Sequence, residues 1–493
     1  MLWLGLSGSA LTGNTARENL MTIRTENRLR SNLKSSASCD RWKLAASGLG
    51  AGLLLALPWS ASPAFANPLS ATVTTGSASI ASASPNKTQI DQRSEDVVID
   101  WSRFNIGAGQ TTQFVQPNAQ ALAVNRIGGN APSQILGTLD ANGRIVLING
   151  NGMLFGKSAA VNVGSLVATS TGGSDAETLS GSFTQAGNQN ASVVNQGRIT
   201  SSQGGLVALV APNVSNAGTV NAKFGTVAVG AANKFTVDFA GDSLVSFAAQ
   251  GDVNSEARAV NSGLLVGANV SLTAHAAEGV ATGVVTMSGI VTAQTAKNVG
   301  GTILLDAGDG SLSMTGTLNA AGEAGGGNIE TSGNHVAISG TVTAGRNGNW
   351  KVDPYDLDVD AEAASTISHS LNSGTNVMLQ ATATGTSGSG NPVAGPGDIV
   401  IDAPIIWKKS STLTLDAYHS VTVDAAITIV GAGGLNIVTN DGGAGGTFGF
   451  GGSKDHIVFD DLSSALTING NAYTLVDNIA TLSGDIAINA SGN

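Results

Sequence analysis

The sequence predicts an all-β chain wound into a right-handed parallel β-helix, a solenoid. Three observations point there. Short, mostly apolar runs recur between Gly, Asn, Ser and Asp, as strands between turns do; the three- and four-residue stretches Ile145–Ile148, Leu206–Leu209, Thr226–Val229, Thr302–Leu305, Leu413–Leu415 and Val421–Val423 are examples. The chain repeats on itself every 20 to 30 residues, the period of stacked arrays. Its 493 residues include 66 Gly but only 12% charged and 4% aromatic residues, against a usual quarter charged. Helical periodicity is almost absent after residue 67, and that excludes tetratricopeptide and ankyrin arrays. Leucine-rich repeats need Leu at fixed offsets, which are missing.

The repeat is clearest where Val194-Asn195-Gln196-Gly197 returns as Ser215-Asn216-Ala217-Gly218. Weaker copies follow at Val260-Asn261-Ser262-Gly263, Met287-Ser288-Gly289, Met314-Thr315-Gly316 and Ile338-Ser339-Gly340. Small side chains suit a narrow stacked interior. Gly and Asn are expected in the turns because they tolerate positive φ. Asn at one place in successive coils is expected to form a side-chain ladder. About 20 coils at about 4.8 Å would give a shaft of about 90–100 Å.

Residues 1–66 read as a leader. A basic stretch holds Arg24, Arg28, Arg30, Lys34, Arg41 and Lys43, then an apolar run covers residues 44–57, then Ala64-Phe65-Ala66 offers small residues at Ala64 and Ala66 for a signal peptidase. The run is too short to cross about 30 Å of hydrocarbon. Met21 is an alternative start. Cys39, the one cysteine, precedes the run, so neither lipidation nor a disulfide framework is expected. Removing the leader takes seven Lys/Arg and three Asp/Glu and leaves a net charge of -15, against -11 for the whole chain. That acidity argues against a nucleic-acid partner.

Chemical motifs are weak. Asn151 to Ser158 comes within one residue of a phosphate-binding loop, but a strand pattern follows where that loop needs a helix. Asp353, Asp356, Asp358 and Asp360 lack the Gly and Glu of a calcium loop. His275, His335, His369, His419 and His456 are scattered, and no nucleophile elbow occurs. No metal, cofactor or catalytic residue is expected, and the chain is expected not to be an enzyme. A β-helix polysaccharide-degrading enzyme is the catalytic alternative, and it would need carboxylates and a base gathered on one face.

Three stretches carry a family resemblance. They are Ile99-Asp100-Trp101-Ser102-Arg103-Phe104-Asn105-Ile106; Asn125-Arg126-Ile127-Gly128-Gly129 with Pro132 to Gly137; and Asn142 to Gly156, with Asn149-Gly150-Asn151-Gly152-Met153-Leu154-Phe155 at its centre. Together they resemble the N-terminal two-partner secretion domain of filamentous haemagglutinin-type exoproteins. Asn149 to Met153 stand where the family reads Asn-Pro-Asn-Gly-Ile, with Gly150 for the proline and Met153 for the isoleucine. The second family signature, Asn-Pro-Asn-Leu, has no clear copy.

The resemblance implies a secretion-recognition role for Asn149, Gly150, Asn151, Gly152, Met153 and Phe155. It makes Trp101, Phe104, Asn105, Asn125, Arg126 and Gly137 family-signature positions. It implies export by the general secretory machinery and then by an outer-membrane β-barrel transporter that binds the chain as extended strands. It places the product outside the cell, or on the surface, of a Gram-negative bacterium. The expected role is an adhesin with an unnamed host-cell or surface receptor; the alternative is the stem of a contact-dependent toxin. The expected organisation is a leader (1–66), the secretion domain (67–310), further coils (311–349) and looser β-rich passenger repeats (350–493). In the last region Trp350-Lys351-Val352-Asp353-Pro354-Tyr355 resembles a Trp-x-Ile-Asp-Pro linker of such exoproteins, and residues 442–452 read as a flexible loop.

Overall fold

A computed structural model describes residues 2–4, 67–239, 245–247, 257–274, 283–382, 396–452 and 455–488. Ala64, Ala66 and most of the expected leader lie outside the described residues, as does His275. The rest forms the expected parallel β-helix with three strand-bearing faces. One coil runs from Leu206–Ala211 through Asn213–Asn216 to Thr219–Asn221, and the next begins at Thr226–Ala231. Like strands pair in parallel: Leu206 lies against Thr226, Asn213 against Arg258, and Thr219 against Leu264.

The first face is one sheet of 16 strands from Leu69–Thr75 to Asn471–Tyr473. Its two outermost strands run antiparallel and cap the ends, covering edges that would otherwise recruit other chains. Between them stand 14 parallel rungs, so this sheet is about 60 Å long at about 4.8 Å per rung, shorter than the expected shaft. The difference arises because many residues leave the coils. Two excursions and a helix take up chain that a bare period assigns to rungs.

The interior is built in columns. Ile99, Asn125, Leu147, Ala168, Leu209, Val229, Leu272, Leu305, Thr331, Val352, Leu379, Leu415, Ile437 and Ile468 stack in register on the first face. A second column runs Phe155, Asn195, Asn216, Asn261, Met287, Met314 and Ile338. Its three asparagines are fully buried and form the expected ladder. Asn195 Nδ2 donates to Asn216 Oδ1 at 2.7 Å, and Asn216 Nδ2 donates to Asn261 Oδ1 at 2.8 Å. The ladder ends at Met287, whose Sδ accepts from Asn261 Nδ2 at 3.3 Å and has no N–H to pass on.

Two positions on, the repeat glycines stack at the corner between the second and third faces. A Cβ on Gly218 would lie 2.1 Å from the Gly197 carbonyl oxygen; on Gly263, 2.1 Å from that of Gly218; on Gly289, 2.2 Å from that of Gly263. Gly316 and Gly340 continue the contact at 2.2 and 2.1 Å. None of these has a positive φ, so the expected reason for them is corrected. They are required by close approach of backbones, not by left-handed turns.

The stack changes character near residue 340. The second-face sheet ends at His335–Ile338 and the third-face sheet at Thr341–Thr343, while the first face continues unbroken. A helix, Ala361–Asn372, takes the place of a third-face strand where no helix was expected. Asp360 caps it by accepting from Glu362 and Ala363 N–H at 3.1 and 2.9 Å. Its hydroxyls satisfy the strand edge below, with Thr366 donating to the Gly340 carbonyl and Ser370 to the Val342 carbonyl. Above, Ser368 Oγ accepts from the Ile406 N–H, while Asn372 donates to the Ile406 carbonyl and accepts from the Lys408 N–H. Two further three-residue faces then resume, starting from Leu357–Val359 and Ile405–Trp407. The resembled linker is a rung: Trp350 is fully buried within Asn349–Asp353. The expected loop at 442–452 contains a further rung, Phe448–Phe450, paired with Val421–Val423.

Gly263→Ala puts a methyl onto the backbone below and is expected to cost about 1–3 kcal/mol. Chemical denaturation of the variant measures this; an unchanged midpoint would show that the corner relaxes freely.

Candidate functional site

The family-signature residues converge on the first two parallel rungs of the first face, Asp96–Arg103 and Leu122–Ile127, and on the corners that follow them. Trp101 ends Asp96–Arg103, buried, with its ring edge-on to Phe104 at 5.3 Å. Its indole N–H donates to Asn125 Oδ1 at 2.9 Å, and Asn125 Nδ2 donates to the carbonyls of Ala123 and Val146. Asn125 therefore sits inside an apolar column with its polar atoms met from its own rung and both neighbours. Left unpaired at that depth, the amide would cost about 1–3 kcal/mol. Trp350 repeats the device, its indole N–H donating to Thr331 Oγ1 at 3.1 Å. Asn105 accepts from the Gln134 N–H at 2.9 Å and holds the corner one coil below. Gly137 follows at that corner, where a Cβ would meet the Gly107 oxygen at 2.2 Å.

The Asn149–Phe155 motif is a turn and the strand after it. Gly152 N–H donates to the Asn149 carbonyl at 2.8 Å, so Gly150 and Asn151 are the central pair of a β-turn. Buried Asn149 accepts from Asn151 N–H and donates to the Ala131 carbonyl and Ser133 Oγ. Asn151 Nδ2 donates to the Gly129 carbonyl at 2.8 Å. The turn is thus stitched onto the coil below by both asparagines. Gly152 has φ +97°, and a Cβ there would lie 2.4 Å from the Ser192 oxygen. A Cβ on Gly150 would meet nothing nearer than the Gly187 Cα at 3.7 Å, an ordinary contact that a proline can make. Met153 and Phe155 point into the core and are buried. In the folded molecule these residues are structural, and little of the motif reaches the surface.

Arg126 differs from the rest of the set, because it faces outward. Its Nε donates to Asp100 Oδ1 at 2.7 Å, across one rung, and its Nη1 pairs with Asp175 Oδ1. Asp175 also accepts from the hydroxyls of Thr74 and Thr75 on the N-terminal capping strand. That strand carries a register shift between Val73 and Thr75, of the kind that re-aims side chains. The Thr75 hydroxyl, then Arg126, hold the Asp175 carboxyl below the usual carboxylate range. Burial alone would lower the Arg126 pKa, but Asp100 and Asp175 raise it.

Asp175 begins a short helix, Asp175–Leu179, capped by Ser174 with Glu177 in a reciprocal box. No helix was expected here, although Ser174-Asp175-Ala176-Glu177 carries the S-x-x-E signature. The helix belongs to an excursion between Ser165–Thr169 and Ser192–Asn195. A second excursion follows Thr226–Ala231, and the two build a small antiparallel sheet from Ser182–Phe183, Phe235–Val237 and Val245–Phe247. Phe183 and Phe235 stack at 4.5 Å. They cover the outside of the first face over Val98, Val124, Val146, Val167 and Ala208, forming a second core. This cover explains why Leu206–Ala211 is apolar at every position rather than at alternate ones.

With that geometry in view, comparison with known proteins is decisive for the family. The model of the TPS secretion domain matches residues 64–320. The chain belongs to the two-partner secretion domain family. Two heme/hemopexin-binding proteins of Haemophilus influenzae are similar in part. One, from strain ATCC 51907 / DSM 11121 / KW20 / Rd, is 40% identical over 102 residues, 21% of this chain and 11% of the relative. The other is 45% identical over 95 residues, 19% and 10% respectively. The matched part thus spans about a tenth of the length of these curated relatives. The crystal structure of the HMW1 secretion domain from Haemophilus influenzae superposes with a TM-score of 0.55 at 21% identity, covering 82% of this chain and all of that one. This likeness carries the fold.

Outside the secretion domain the polar clusters are engaged locally. Asp356 accepts from the Gly397 and Asp398 N–H groups, and Asp360 caps its helix. Among the described residues, no three His, Cys, Asp or Glu side chains gather as a metal site. Asp398 and Ser420 both meet the same ring nitrogen of His419, Nδ1, at 2.7 and 3.0 Å. A nucleophilic triad needs them on opposite nitrogens.

Two measurements follow. Gly152→Ala should lower the melting temperature, through both φ and the Ser192 contact, whereas Gly150→Pro should keep or raise it by restricting the unfolded chain. Asp175, with its pKa depressed on folding, contributes stability in full above the ordinary aspartate value of about 3.9. That contribution disappears as pH falls through the lower folded value. Acid unfolding followed by fluorescence should therefore show a weaker pH dependence in Asp175→Asn than in the parent chain.

Proposed function

We propose that this chain is a secreted or cell-surface exoprotein of a Gram-negative bacterium, exported by two-partner secretion. The observation that carries the reading is the secretion-domain match over residues 64–320. In this reading residues 1–66 engage the general secretory machinery and are cut after Ala66. An outer-membrane β-barrel transporter then recognises the extended secretion domain through Asn149 to Phe155. Burial of Asn149, Met153 and Phe155 supports recognition before folding, since a partner meets those side chains only on an open chain. A solenoid suits this route, because each coil contacts only its neighbours and can form as it emerges.

The role outside the cell is an adhesin in our reading. Supporting it, the first face from Thr302–Asp306 onward is alternately buried and solvent-facing, presenting Thr302, Asn328, Asn349 and Asn376 as a polar column. Distributed contacts on such a surface need no short motif. A haem-acquisition role is the second reading, favoured by the local similarity to two heme/hemopexin-binding proteins.

Deleting residues 149–155 should stop export and leave the leader-cleaved chain in the periplasm of cells that carry the transporter. Gly263→Ala, which weakens the fold away from the motif, should still be exported. Equal export of the deletion and the parent would overturn motif recognition. A shift in the hemin absorption band on adding the purified protein, without binding to cells, would replace the adhesin reading by the haem one.

A further inference from the structure

The contacts around Asp175 join three parts of the chain that are distant in sequence. Asp100 and Arg126 lie on adjacent rungs, Thr74 and Thr75 on the antiparallel strand that caps them, and Asp175 on the excursion helix. The capping strand has little else on its outer side. Its burial pattern is exposed or intermediate at all seven positions. Its backbone pairs with Asp96–Arg103 alone, and that pairing is interrupted by the register shift beside Thr75. Ala71 and Val73 pack on the core but are only partly buried, so this seven-residue edge strand is held weakly by its inner face and its ladder bonds. The charged catch at Asp175 is therefore a large part of what keeps it in place.

We propose that the Leu69–Thr75 strand is a strap whose catch is Asp175, so that the N-terminal cap and the excursion close as one unit. The chain between strap and catch is about a hundred residues long. Rungs up to Ser165–Thr169 stack before the catch exists, because their columns are complete without it. The strap then docks when the excursion helix presents Asp175 to Arg126 and the two threonine hydroxyls. Until that moment the edge of Asp96–Arg103 stays open. The first rungs are thus the last part of the domain to be sealed, the reverse of strict coil-by-coil order from the N-terminus. This inference rests on the fold and its contacts and is independent of the export reading.

Hydrogen exchange on the purified chain tests it. Asp175→Asn should speed exchange of the amides in residues 69–75 and 235–237 by about tenfold or more and leave residues 206–211 at parent rates. Asp100→Asn, which keeps the catch, should have a smaller effect on the strap. If Asp175→Asn loosens residues 206–211 as well, Thr75→Val removes only the strap's hydroxyl and should reproduce the selective effect. In pulse-labelled refolding of the parent chain, residues 69–75 should gain protection together with 235–237. Parent-like protection of the strap in both variants would overturn the proposal. So would protection of the strap ahead of 235–237 during refolding.

Discussion

The contact on which the rest of the molecule depends is a carbonyl oxygen seated where a side chain would be. At Gly218, Gly263, Gly289, Gly316 and Gly340 the glycine of one coil presses on the carbonyl of the glycine below. The strand spacing of about 4.8 Å sets how closely coils can stack. At a corner the chain turns inward, and a Cβ would consume the remaining room. Two residues before each of these glycines comes an interior column position, occupied by Asn, Met or Ile. Corner and column are set by the same backbone register. A shift of one residue would put the glycine on a strand and the asparagine in solvent.

The buried asparagines solve a related problem. Where the chain leaves a strand for a corner, a few backbone groups have no partner in the next rung. Asn195 accepts from the Gly197 N–H and donates to Asn216, so each amide serves its own corner and the coil above. Asn149 and Asn151 do this at the motif turn, and Asn125 does it for the indole of Trp101. The Asn149–Phe155 turn is therefore continuous with the architecture of the shaft.

Much of the candidate site was legible in the sequence. Asn195 and Asn216 were aligned by period alone, and they pair in register and bond to one another. Trp101, Asn125 and Asn149 were set apart by their pattern, and all three are buried in the same few rungs. The partner of Arg126 was hidden, because Asp175 is 49 residues away and off the solenoid period. The excursions were also hidden. Phe183 and Phe235 come from segments with no repeat, and only the unbroken apolar runs 122–124, 145–148 and 206–211 hinted that something covers that face. The helix Ala361–Asn372 could have been read from its Asp360 cap and from Gly374 after its end, but the strong strand pattern on either side masked a period of 3.6.

The sequence by itself determined the fold class, the repeat and the column positions. These follow from local periodicity, and a solenoid is made of contacts between neighbouring coils. It also determined the family, through motif turns whose residues are close together in the chain. Only the tertiary structure decided how many coils there are, where the stack is interrupted, and what lies on its outer face. Those features depend on segments that leave the period and pack back across many residues. It alone decided why the glycines are glycines. Composition showed that there are 66; the 2.1–2.2 Å that would separate a Cβ from the carbonyl of the coil before it showed why one corner is lined with them.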